Sequence, residues 1–225
     1  MSWMDITMDA FDLTRIRRFY DRFGAWQDSQ GFYENAVQEK LIRNSDFPHA
    51  RSVLEVGCGT GKFAARLLAE ALPDDARYVG IDLSSTMVDL SRKRISPWAD
   101  RAEIVQSDGG FDFTSYGPPF DRIIFIYVLE ILSEMQIQKA LAGAHAALSP
   151  GGLLCAAVLT EGIDTLSRLT TSVWSALHNM QPYLVGGCRP LVLRDHIPEK
   201  SWQIRHRNVV VSMSVPSEII VAEAI

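Results

Sequence analysis

The chain has 225 residues, 47% hydrophobic and 22% charged, and its 22 basic and 27 acidic side chains leave a formal charge of −5. This composition excludes a disordered chain, and the length suits one large domain, or one domain with an insertion, burying a sizeable core. The acidic balance offers no broad positive footprint for nucleic acid. Cys58, Cys155 and Cys188 are the three cysteines. They make neither a disulfide framework nor a zinc-ligand spacing, so a reducing compartment and no metal are expected. The first residues carry acids where a secretory leader has a basic end, and no apolar run is long enough to span a bilayer. The expectation is a cytoplasmic globular protein with no membrane span and no nucleic-acid partner.

In chain order, Ile16, Phe19, Tyr20 and Phe23 form an apolar stripe at helical spacing, and Gly24 is expected to end or bend that helix. A second helix is predicted over about 32–43 and a turn holding Pro48 over 44–51. From Ser52 the pattern changes. SVLEV is a short β-rich run that stops at Gly57, and 62–72 reads as a helix with Phe63, Leu67 and Leu68 on one face. RYVGIDL is a second strand, 84–93 a helix and AEIVQSD a third strand. DRIIFIYVL, nearly all apolar, suits a parallel strand covered on both faces. Residues 135–148 read as a helix, SPGG as a turn and LLCAAVLT as a fifth strand. Strands alternating with helices imply parallel βαβ units in an open twisted sheet. Residues 161–187 read as helical or irregular. The end, QIRHRNVVVSMSVPSEIIVAEAI, holds two β-runs joined at Val215-Pro216-Ser217, a link so short that it permits only an antiparallel hairpin.

The densest signal is Glu55-Val56-Gly57-Cys58-Gly59-Thr60-Gly61-Lys62, a strand running through a glycine turn into a helix. Open α/β sheets bind ligands at such strand ends, and glycines let backbone approach a ligand closely. The dinucleotide pattern G-x-G-x-x-G fails, because Lys62 stands at its sixth position. The phosphate loop fails too, with Val56 in place of its first glycine and Phe63 in place of its hydroxyl. A third class has an acid two residues before the first glycine and another at the end of the next strand. Glu55 and Asp82 stand there, Asp82 lying 21 residues after Gly61. A carboxylate at that strand end can accept both ribose hydroxyls of a nucleoside. Ser107-Asp108-Gly109, after the third strand, places a further acid beside the first two strand ends.

In this order the residues resemble the class I S-adenosylmethionine-dependent methyltransferases. LEVGCGTG looks like the family's first motif, GIDLS its second, QSDGG its third, FDRIIFIYVLE its fourth and LSPGG the turn before its fifth strand. YDRFGAW is similar to the small-molecule branch, including quinone-type and type 11–25 methyltransferase domains. The resemblance implies an α/β fold, a Rossmann-like doubly wound seven-stranded sheet of order 3-2-1-4-5-7-6 with one antiparallel strand, N-terminal helices and a lid insertion. One domain over 1–225 is expected. It comprises a helical cap (1–48), a cofactor-binding core (49–160), a lid and acceptor region (161–189), and a closing helix with an antiparallel hairpin (190–225).

The implied cofactor is S-adenosyl-L-methionine, with S-adenosyl-L-homocysteine as product. By the resemblance, Gly57, Cys58 and Gly59 pack under its methionine part, and Glu55 helps hold the amino group. Asp82 takes the ribose hydroxyls, and Leu83 and Met87 flank the adenine. Asp108 and Gly109 sit near the adenine amine, Tyr127 meets the methionine part, and Tyr20 closes over from the first helix. The acceptor is expected to be a small, partly apolar molecule methylated on oxygen, carbon or nitrogen. It would lie beneath the N-terminal helices and the stretch holding Trp174, His178, Tyr183 and Arg189. Glu130 and His178 are the candidate bases. The fourth strand ends Ile126-Tyr127-Val128-Leu129, not in the Asn/Asp-Pro-Pro-Tyr of methyltransferases acting on adenine or glutamine amines. A monomer or a homodimer is compatible with the sequence. Two other readings stay open. One is a non-catalytic S-adenosylmethionine-binding scaffold or partner subunit. The other is a nicotinamide oxidoreductase, against which Lys62 and the closing hairpin count.

Overall fold

A computed structural model describes residues 13–23 and 31–225. The expected stop at Gly24, the Gly24-Ala25-Trp26 part of the subfamily signature and the side chains of Phe23 and Tyr183 lie outside the described residues. Two helices, α1 (Leu13–Phe23) and α2 (Gly31–Asn44), precede a series of alternating strands and helices. These are β1 (Ser52–Val56), α3 (Lys62–Glu70), β2 (Arg77–Asp82), α4 (Ser85–Ile95), β3 (Ala102–Gln106), β4 (Phe120–Ile126), α5 (Glu134–Ala147) and β5 (Leu148–Leu159). Then follow α6 (Thr165–Met180), β6 (Trp202–Ser212) and β7 (Val215–Ala224).

The seven strands form one sheet of order β3-β2-β1-β4-β5-β7-β6. β7 runs antiparallel to both β5 and β6, and the other pairs are parallel. Alternation along each strand divides the core. Leu54, Ile123 and Phe125 face α5 and the 191–197 segment, whereas Val53 and Ile124 face α2, α3 and α4. With helices on both faces, the central strands carry apolar side chains at every position, which is why DRIIFI does not alternate. Helix starts follow capping chemistry. Ser84 caps α4 by accepting from the Met87 amide, and Ser133 and Asp164 make capping boxes at α5 and α6.

Four local expectations are corrected. β4 stops at Ile126 because Tyr127 turns the backbone to φ 56°. SPGG does not separate α5 from β5. It is an irregularity inside β5, where pairing with β4 shifts from Phe120–Leu148 to Arg122–Leu153. The hairpin turns at Met213-Ser214, both at positive φ (50° and 66°), and Pro216 lies inside β7. A two-residue turn with both φ positive matches strand twist, and a proline is tolerated near a strand's start. No closing helix forms over 190–201, only one tight turn, Leu193–His196. Pro190 and Pro198 bracket the segment, and Glu218 takes the Leu193 amide at 2.6 Å, so that amide is committed to the sheet.

No helix among the described residues is long and apolar enough to cross a membrane. The loop after β3 rests on α5 at Gly143, where an added Cβ would lie 1.9 Å from the Phe111 carbonyl oxygen. Gly143→Ala, favourable for an isolated helix, should therefore destabilise this protein by about 1–3 kcal/mol through overpacking. Urea unfolding of the two forms measures the difference, and equal or greater stability of the alanine form would show that the loop yields freely.

Candidate active site

Four parallel strands end at one edge, and their following loops line a cavity that opens to solvent. The first loop sets its floor. Gly57 and Cys58 donate to the Ile81 carbonyl at 2.8 and 3.0 Å, binding the β1 turn to β2. Gly57 has φ 72°, and a Cβ there would lie 2.4 Å from Val128 Cγ2, so only glycine allows β1 and β4 to close on each other here.

Asp82 joins the first two loops. One carboxylate oxygen accepts from the Gly59 amide and the other from the Ser84 amide, both at 2.9 Å. Burial pushes the Asp82 pKa up to about 6 against the pull of the Ser84, Gly59 and Leu83 amides. Ser84 also donates to Asp21 at 2.6 Å, and the Asp21 carbonyl accepts from Thr86, which straps α1 across the second loop. That strap brings Ile16, Arg17 and Tyr20 into the cavity wall. Opposite stand Ser107, Gly109, Phe111 and Phe113, with the Gly109 amide held by Ser107 Oγ at 3.0 Å.

Of the residues singled out above, Tyr20, Gly57, Gly59, Asp82, Leu83, Gly109 and Tyr127 line one cavity. Glu55, Cys58, Met87 and Asp108 do not. Glu55 is buried behind the floor, accepting from the Tyr78 hydroxyl at 2.5 Å. Cys58 Sγ lies beside Ser91 Oγ at 3.8 Å, and Met87 is buried in α4. Asp108 is exposed and folds onto its own loop, accepting from the Gly110 amide at 2.7 Å. Asp21, Ser84, Ser107 and Phe111 escaped the sequence reading. The Tyr-Asp pair of α1 was the available signal for Asp21, and nothing local marks Phe111.

The two candidate bases differ. Glu130 is fully buried in the tight turn Leu129–Ile131 after β4. One of its carboxylate oxygens accepts from the Leu159 amide at 2.9 Å, and the other has no hydrogen-bond partner among the described residues. Burial raises its pKa to about 8, opposed by the Leu159 amide and by Arg189. Its charge acts on Tyr20, Tyr127 and Cys188, as does that of Glu34. His178 is half-buried on α6 and does not line the cavity. Burial holds its imidazole below the usual range, against hydrogen bonds to Asn179 and Gly187. Among the described residues no cluster of three or more His, Cys, Asp or Glu side chains is placed to hold a metal.

Glu55, Asp82 and Glu130 are all shifted upward, to about 8, 6 and 8, by burial above all. Each folded carboxyl keeps its proton to higher pH than the unfolded one, so the ligand-free protein gains stability below the unfolded carboxylate range and loses it as pH rises toward 8. Glu55→Gln removes one such group without changing its shape. Urea unfolding at pH 5, 6, 7 and 8 should show a shallower decline for this variant, and parallel curves would mean that Glu55 is not held neutral.

Residues 53–152 match the sequence profile of a family described as a methyltransferase domain. A tRNA N(3)-methylcytidine methyltransferase, Mettl2, from Drosophila melanogaster is 26% identical over 153 residues, covering 63% of this chain and 46% of that protein. A malonyl-[acyl-carrier protein] O-methyltransferase from Xylella fastidiosa is 28% identical over 162 residues, covering 71% of this chain and 52% of that protein. The chain thus spans about half the length of the curated relatives it matches. Among solved structures, the N-methyltransferase NodS from Bradyrhizobium japonicum in complex with S-adenosyl-L-homocysteine superposes with a TM-score of 0.71 at 18% identity, over 94% of this chain and 97% of that one. Residues 53–152 are a methyltransferase domain, set in a chain with the class I S-adenosylmethionine-dependent methyltransferase fold.

Proposed function

We propose that the protein transfers a methyl group from S-adenosyl-L-methionine to a small, partly apolar acceptor by direct displacement. The observation that carries this reading is Asp82, a carboxylate at the end of β2 that lines the cavity while backbone amides hold it in place. A carboxylate there can accept from the hydroxyls of a ribose. Gly57 and Gly59 allow backbone contact with the methionine part, and Leu83, Phe111 and Phe113 offer apolar walls to the adenine. The Asp82 carboxylate, with its pKa of about 6, carries negative charge near neutrality, which suits a ligand bearing a sulfonium and an ammonium.

When bound, the cofactor supplies an electrophilic methyl carbon on a positively charged sulfur. The chain's task is then to hold the acceptor in line with the carbon–sulfur bond at about 3–3.5 Å and to keep water out. Tyr20, Tyr127, Val128, Ile131 and Leu132 form the apolar and aromatic side of the cavity. Beyond it stand Glu130, Cys188 and Trp174, the indole of Trp174 donating to the Cys188 carbonyl at 3.0 Å. Residues 161–189 are read as the wall of the acceptor region. Glu130 is the base in this reading, because its second carboxylate oxygen awaits a donor and its raised pKa suits proton removal near neutrality. That favours an acceptor that gives up a proton, an amine or a hydroxyl, over an unactivated carbon. Neither Glu130 nor His178 lines the cavity, but Glu130 directly precedes the lining residues Ile131 and Leu132, whereas His178 lies away on α6 and is given no such role. The net charge of −5 argues against a nucleic-acid acceptor, and three free cysteines support a reducing compartment such as the cytoplasm.

Calorimetric titration with S-adenosylmethionine, S-adenosylhomocysteine and NADH tests the cofactor. Micromolar binding of the first two and none of NADH is expected, and Asp82→Ala should weaken it by about 100-fold or more, since charge-assisted hydrogen bonding to the ribose is lost. Binding of NADH alone overturns the reading in favour of an oxidoreductase. Once an acceptor is found, Glu130→Gln should slow turnover by at least about 100-fold while S-adenosylhomocysteine affinity stays within about twofold. Unchanged turnover would remove Glu130 from the chemistry. Cofactor binding with no transfer to any amine or hydroxyl acceptor would favour the scaffold reading.

A further inference from the structure

Helix α6 is amphipathic the wrong way round. Its buried positions are Ser167 and Thr171, with hydroxyls satisfied inside the helix. Ser167 Oγ donates to the Asp164 carbonyl at 3.2 Å and Thr171 Oγ1 to the Ser167 carbonyl at 3.1 Å. Its outward face carries Leu166, Leu169, Val173, Leu177 and Met180, exposed by 61%, 62%, 52%, 37% and 80%. Single exposed apolar residues are ordinary, but a continuous stripe along four turns marks an interaction surface.

The spacing of the stripe identifies the occupant. Its steps are 3, 4, 4 and 3 residues, which read the same from either end about Val173. Laid antiparallel on a copy of itself, the helix sets Leu166 against Met180, Leu169 against Leu177, and Val173 against its own counterpart. A two-fold interface requires this reciprocity, residue i meeting j while j meets i. The alternation of threes and fours is also the spacing at which packed helices interlock. Charge does not oppose the pairing, because Arg168 is the sole Lys, Arg, Asp or Glu within Thr165–Met180, and antiparallel helices align their dipoles favourably. Complete burial of these five side chains on both copies would remove at most on the order of 1,000 Å², about the threshold for a specific interface.

We propose that two copies of this chain associate through α6, paired antiparallel about a two-fold axis at Val173. The pairing stands apart from the methyl-transfer reading, since none of these five side chains lines the cofactor cavity.

Sedimentation equilibrium of the full chain between about 1 and 100 µM tests it, since an interface of this size is expected to hold in that range. A dimer is expected. Val173→Glu, which buries two facing charges, should raise the dimer dissociation constant by at least about 100-fold while leaving S-adenosylhomocysteine binding and the circular dichroism spectrum unchanged. Val173→Cys reports geometry independently. Mild oxidation should link 173 to 173, as mapped by peptide mass spectrometry, and Leu166→Cys should link to Met180→Cys in a mixture but not to itself. A monomer throughout the range overturns the proposal, including one in which residues 1–12 or 24–30 of the same chain cover the stripe. So does a dimer that ignores Val173→Glu and forms no 173–173 link.

Discussion

The carboxylate of Asp82 is the point on which the cavity depends. It ends β2, accepts from the amide of the β1 loop at Gly59 and from the amide that begins the α4 cap at Ser84. Two loops from different strands are thereby held at a fixed separation by charge-assisted bonds in a buried setting, where such bonds are strongest. Ser84 then passes the constraint to α1 through Asp21. Floor, edge and roof are linked by one run of hydrogen bonds.

Burial gives the site its electrostatic character. A carboxyl removed from water holds its proton to higher pH, and Glu55, Asp82 and Glu130 each follow that rule to a different degree. Asp82 is shifted least because three backbone amides solvate it. Glu55 and Glu130 have fewer hydrogen-bond donors and are shifted further. The strand ends therefore hold a reserve of negative charge that a cationic ligand can draw out. This follows from the parallel sheet. Its carboxyl edge gathers loops from several strands, and each can carry one polar residue into an otherwise apolar neighbourhood.

The segment between β5 and β6 obeys a different logic. Helix α6 does not cover the sheet with an apolar face, as α5 does through Ile137, Leu141 and Ala144. It sets hydroxyl residues inward and aliphatic ones outward, and near its far end Trp174 reaches back to the Cys188 carbonyl.

The order of strands and the place of the site were legible in the sequence because both rest on local chemistry. A β-rich run stopping at a glycine turn, an acid ending the next strand and an all-apolar fourth strand each declare themselves within ten residues. The antiparallel close was legible because a short link permits nothing else. What remained hidden depends on residues distant in the chain. Whether an acid at a strand end faces the cavity or its own loop, as Asp82 and Asp108 do respectively, is decided by which amides lie within reach. The strap from Asp21 to Ser84 spans 63 residues of sequence. The expected closing helix fails because a glutamate on β7 takes its amide, and the hairpin turns two residues early because twist favours Met213-Ser214 over a proline. Even the α6 stripe was written in the sequence at helical spacing, but periodicity marks only that a face is apolar. Which way that face points is settled by what else packs against the helix, and only the tertiary structure shows it turned to solvent.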